Sequence, residues 1–166
     1  MPTPSKIAPW AIFLILLLLG GCSGIKTYPN ELPTNLRVTT AIDSGAALRS
    51  TVAEFDIHRV NAKCETDYLG RVYLDKPAMD VGIPENQLLY LDFIFASKTF
   101  LSNNISAVRY QTLLMSRSGY EYTAEVSYVK GMYNVVIQEK RHGAAAGTAI
   151  PRTPLSSCKP GESKNF

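Results

Sequence analysis

The sequence is short of the residues from which most catalytic and metal sites are built. Its 166 residues include three cysteines, two histidines and one tryptophan. A zinc site needs three or four His, Cys or carboxylate ligands converging on one point. The nearest approach, Glu54, Asp56 and His58, alternates along one strand and reads as its wet side, so no metal ligand is assigned. No G-x-S-x-G nucleophile elbow and no glycine-rich phosphate loop occurs. S-x-x-K occurs at Ser127–Lys130 and Ser156–Lys159 without a K-T-G partner, and reads as chance. Glu121 and Glu125 lie about 13 Å apart by strand rise, too far for the carboxyl pair of a glycosidase. No catalytic residue or cofactor is therefore assigned. No run of five like charges exists, which excludes the basic stripe of a nucleic-acid binder.

Long hydrophobic runs are also missing. The longest, Trp10 to Leu19, has ten residues, against the roughly 20 that a membrane-spanning helix requires. It follows Lys6 and precedes Gly20 and Gly21, the layout of a signal-peptide core and cleavage region. Leu19, Gly20, Gly21 and Cys22 together resemble a bacterial lipobox. That resemblance implies removal of residues 1–21, a diacylglycerol on the Cys22 sulfur and an acylated amine. More than one acyl chain gives stable anchoring, at about 0.8 kcal/mol per buried methylene. Ser23 in place of Asp after the cysteine is similar to an outer-membrane sorting signal, so the expectation is a periplasm-facing outer-membrane lipoprotein. Inner-membrane or cell-surface placement is the alternative.

The remaining chain carries 16 basic against 14 acidic residues, a net of +2, and is long enough for one domain. With Cys22 lipidated, Cys64 and Cys158 form an even pair in an exported protein and are expected to form a disulfide. The crosslink would staple the Gly/Ala/Pro-rich tail, residues 141–166, to the body. Residues 22–35, with two prolines and little periodicity, are expected to be a tether of at most roughly 40 Å.

From Leu36 to residue 140 the apolar period is two rather than 3.6. Ala53, Phe55 and Ile57 alternate with Glu54, Asp56 and His58. Tyr120, Tyr122, Ala124, Val126 and Tyr128 alternate with Glu121, Thr123, Glu125 and Ser127, and Gly131 then supplies a hairpin turn into Tyr133, Val135 and Ile137. The run Leu88 to Ala96 is apolar on both faces and predicts a central strand. Residues 76–86, bounded by two prolines, predict a loop. About seven strands at short spacing give an all-β fold, an antiparallel β-sandwich, with a small β-barrel as the alternative. The regular alternation of the tyrosines indicates sheet packing more than an exposed ladder.

The expected role is that of a non-enzymatic, lipid-anchored module that binds a protein partner in the cell envelope and neither nucleic acid nor metal. In layout the chain is similar to the small accessory lipoproteins that tether secretion machines, such as the sandwich lipoprotein of type VI systems. That likeness implies contacts made by loops at one end, with residues 76–86 foremost. An inhibitor, immunity or ligand-binding lipoprotein is the alternative, and an envelope hydrolase using His58 or Glu121 is the weakest.

Overall fold

Period-two patterning places most of the chain in strands, and the strands stack as two sheets. The computed structural model describes residues 24–42, 49–99, 105–129 and 131–160; Cys22 and the expected signal segment lie outside them. The described residues form nine strands: β1 (Leu36–Ile42), β2 (Arg49–Val60), β3 (Thr66–Tyr73), β4 (Ala78–Val81), β5 (Gln87–Thr99), β6 (Ile105–Ser116), β7 (Tyr120–Val129), β8 (Met132–Arg141) and β9 (Thr148–Ile150). One sheet has the order β4-β1-β7-β8-β9 and the other β3-β2-β5-β6. The sheets are open and packed face to face, so the fold is a β-sandwich rather than the alternative barrel. All pairings are antiparallel except β1 with β7, which runs parallel from Leu36–Tyr122 to Ile42–Tyr128.

The core lies between the sheets. Phe55, Ile57, Leu89, Leu91, Phe93 and Leu114 from one sheet meet Leu36, Val38, Tyr122, Ala124, Val126 and Ile137 from the other. Each buried Val, Leu, Ile or Phe contributes about 1.5–3 kcal/mol relative to exposure. The Phe55 and Phe93 rings stack with centroids 5.0 Å apart. The β5 run that is apolar on both faces is indeed interior, paired with β2 on one side and β6 on the other. Tyr122 and Tyr128 point into the core, as their alternation predicts.

Segment 76–86 departs from its expected reading as one loop. Its Met79 and Val81 alternate toward the core and pair as β4 opposite Val38 and Leu36, and Ile83 is buried just beyond. Four residues between two prolines carry too little pattern to announce a strand.

The two ends of the chain close the two long sides of the sandwich. From Lys26 onward the expected tether is docked instead of free. Tyr28 donates its N–H to Arg71 and Arg71 donates to Lys26, which adds a short parallel bridge to β3. The Tyr28 hydroxyl then reaches the other sheet and donates to the Gly82 carbonyl at 2.6 Å. The side-chain amides of Asn30 and Asn35 each donate to and accept from the backbone of residues 80–83. On the opposite side β9 pairs with Ile137–Glu139 of β8, and the chain crosses at Pro151 to β6, where Leu113 donates to the Thr153 carbonyl. A 3-10 turn at Leu155–Ser157 lays Leu155 over Val60, Tyr90 and Leu113. Cys158 then joins Cys64 in the β2–β3 turn, with an S–S distance of 2.08 Å and a sequence separation of 94. The expected disulfide is therefore formed, and it ends a strap across the outer face of the four-stranded sheet.

Candidate functional site

Along the outer face of the four-stranded sheet the surface changes character from one end to the other. At the end holding the β2–β3 turn it is covered by the C-terminal strap. Its middle is a layer of paired charge. Asp56 and Asp92 are direct partners across β2 and β5, a placement in which two carboxylates repel. Each is offset by a guanidinium from the flanking strand. Arg71 of β3 grips Asp56 through Nε at 2.8 Å and Nη2 at 2.9 Å and also bonds Glu54. Arg109 of β6 bonds both oxygens of Asp92, and Gln111 adds a third donor at 3.1 Å. Bidentate Arg–carboxylate pairs are among the strongest such contacts, which is how Asp92 is tolerated at 2 % exposure.

Burial pushes the Asp56 carboxyl up, but the bonded Arg71 guanidinium outweighs it and holds the group below the ordinary carboxylate value. His58 stands next in the row, its ring 5.1 Å from that of Tyr68 and 5.6 Å from that of Tyr90. Burial lowers its pKa, and burial outweighs the nearby carboxylates of Asp56 and Asp92, which pull the other way. The wet strand face expected at Glu54, Asp56 and His58 is thus a half-buried ion-pair layer. Its acceptors are occupied by arginines.

At the far end no described residue covers this face. There an open cavity of about 630 Å³ lies between the close of β1, the start of β2 and the β3–β4 connection, lined by Thr40, Ile42, Thr51, Val52, Glu54 and residues 73–77. Val52 (58 % exposed) and Tyr73 (44 %) stand at its rim. Glu54 belongs to both regions, since it lines the cavity and bonds Arg71. The cavity offers apolar and aromatic surface with Glu54, Asp75 and Lys76 as charged groups, a lining suited to holding a side chain of a partner.

The remaining sequence candidates are scattered. Glu121 lies on the outer face of the five-stranded sheet, 3.6 Å from His142, whereas His58 lies on the outer face of the other sheet. The two residues that carried the hydrolase alternative are not brought together. Glu125 and Ser127 line a shallow depression on the same face as Glu121, and Ser156 sits in the strap. Lys130 is outside the described residues. Among the described residues no three His, Cys, Asp or Glu side chains gather as a metal-holding group. Of residues 76–86, only the first few border the cavity, because Val81 and Ile83 are drawn into the core.

Sequence reasoning missed Arg71, Arg109 and Tyr73. The signal for the arginines was a single charge, Asp92, inside the apolar run Leu88 to Ala96, since a carboxylate in such a strand needs a cationic partner. No protein-family model, no curated protein and no solved structure matches this chain.

Proposed function

We propose that the protein is a lipid-anchored, non-enzymatic binding module of the bacterial envelope, acylated at Cys22 on the outer membrane and facing the periplasm. It engages a protein partner with the end of the sandwich remote from its anchor. One observation supports this reading, the direction in which the chain upstream of Lys26 leaves the sheet, away from the cavity. Lys26–Tyr28 run parallel to β3, so the chain upstream of Lys26 heads toward the β2–β3 turn. Lys26 lies four positions after Cys22, a reach of no more than about 14 Å. Tyr73 lies seven strand positions from Thr66 at the β2–β3 turn, roughly 23 Å. A lipid on Cys22 therefore belongs to the end with the disulfide, and the cavity beside Tyr73 points away from the bilayer. Engagement of Asp56 and Asp92 by arginines favours a binding role over a chemical one.

Two measurements test the reading. An alkyne-labelled palmitate supplied to cells should enter the wild-type chain and not Cys22→Ala. A photo-crosslinking residue at Tyr73 should capture a discrete envelope protein that the same probe at Glu65, in the β2–β3 turn, does not. Failure of labelling removes the anchor. Equal capture at both positions removes the binding end.

A further inference from the structure

Most strand edges in this sandwich are blunted. The β3 edge is bridged by Thr27, residues beside β4 are bonded by the Asn30 side chain, and the β6 edge takes Thr153 and carries Arg109. The first half of β8 has no such protection. β9 pairs only with Ile137–Glu139, because Pro151, which has no N–H, then turns the chain toward β6. Met132–Val136 pair with β7 on one side and with no described strand on the other. The sequence from Met132 to Gln138, MYNVVIQ, contains no charge, proline or glycine, the composition that most readily accepts another strand. Three of the eight exposed large apolar residues among those described lie on this strand or at the hairpin end of β7: Val129, Met132 (72 %) and Tyr133 (41 %).

The direction of the free backbone groups follows from the hairpin. With a two-residue turn between Val129 and Met132, those two residues bond each other, and alternation turns the N–H and C=O of Tyr133 and Val135 outward. Those four groups are symmetric about Asn134. We propose that this edge pairs with the same edge of a second copy of the chain, antiparallel about a two-fold axis through Asn134. Tyr133 then exchanges two hydrogen bonds with Val135 of the second copy, and the symmetric pair supplies two more. Met132 faces Val136 of the second copy on the outer side, and no like charges are opposed. The pairing joins the two five-stranded sheets into one and covers the exposed Met132 and Tyr133. A second copy fits because its own edge is equally free of charge from Met132 to Val136 and the one contact covers the exposed Met132 and Tyr133 of both chains.

The test is disulfide trapping with the full chain in cells, using Asn134→Cys and Val136→Cys one at a time. Asn134 residues meet at the axis as a non-hydrogen-bonded pair, with Cα atoms about 4.5 Å apart. The two Val136 residues are four strand positions from each other, about 13 Å. The expected result is a crosslinked dimer at least ten-fold more abundant for Asn134→Cys than for Val136→Cys. Addition of a charge, Asn134→Lys, should in turn abolish the concentration-dependent dimer seen by sedimentation of the purified chain. Asn134 is exposed, so neither change at that position threatens folding. Absence of the Asn134→Cys dimer, equal crosslinking at both positions, or capture of a different protein at Asn134 overturns the proposal.

Discussion

The two long sides of the sandwich are closed by the two ends of one chain, and by different means. On the side of β3 and β4 the N-terminal segment comes so close that side chains are excluded beneath it. A Cβ on Gly70 would lie 2.6 Å from the Tyr28 Cα, and one on Gly82 would lie 2.1 Å from the Leu32 carbonyl oxygen. Hydrogen bonds from Tyr28, Asn30 and Asn35 complete that seam without a covalent link. On the side of β6 and β9 the contact is a three-residue strand, the Leu113 bond to the Thr153 carbonyl, the Thr153 N–H donated to the Thr112 hydroxyl, Arg152 bonded to the Gln111 carbonyl and lying over the Tyr110 ring, and a small apolar cluster around Leu155. Here the link is covalent. Close backbone approach fixes one end of the chain, while the other end is held by scattered side-chain contacts and closed by a crosslink. The covalent strap also stops short of the lower half of β8, which is why that edge is left bare.

Breaking the crosslink should have the largest effect on this contrast. Loss of a native disulfide costs about 2–5 kcal/mol in a small exported domain, and Cys158→Ser should lower the urea midpoint accordingly. Amide exchange at Leu113 and Ile150 should accelerate far more than at Arg71 and Ile83. Equal acceleration on both sides would mean that the seams open together and that the contrast is only apparent. Next comes Gly82→Ala. Its methyl group would collide with backbone rather than with a flexible side chain, and overpacking of this kind costs about 1–3 kcal/mol. The expected exchange pattern is the reverse, with Arg71 and Ile83 released and Leu113 unchanged. A variant as stable as wild type would show that the N-terminal segment contributes little.

The same contrast explains what could be read from the sequence. The β7–β8 hairpin was legible because Tyr122, Ala124, Val126, Val135 and Ile137 alternate without interruption and all face the core. The pairing of Cys64 with Cys158 followed from counting the cysteines left once Cys22 is set aside with the resemblance to a lipobox. The N-terminal lacing was not legible, since it is made by asparagine amides, a tyrosine hydroxyl and two glycines 12 residues apart, none of which forms a period. β4 and β9 were too short to announce themselves. The charge layer was half visible: alternation placed Asp56 on the outer face of β2, but only the register of β3 and β6 brings Arg71 and Arg109 to the two aspartates. Tyr73 and Val52 become a rim only once β1, β2 and the β3–β4 connection converge.

The smallest effect expected is one of pH, and it falls where the two seams meet. Tyr68, on one side of His58, donates to the Lys26 carbonyl of the N-terminal segment. Tyr90, on the other, belongs to the cluster under the C-terminal strap. Burial between them lowers the His58 pKa; Arg109 acts in the same direction, while Asp56, Asp92 and Asp67 oppose it. The unfolded chain therefore takes up a proton before the folded one does. Stability is complete above the unfolded value of about 6.5 and declines as pH falls from there toward the lowered folded value. The lowered Asp56 carboxyl adds a further loss, but only on acidification below its own unfolded value of about 3.9. Urea midpoints at pH 7.5 and 5.5 separate the two, because of His58 and Asp56 only His58 has its unfolded value inside that interval. Wild type should lose stability between them, and His58→Gln should lose markedly less. An unchanged loss in the variant would place the titrating group elsewhere and leave the two seams without a shared residue.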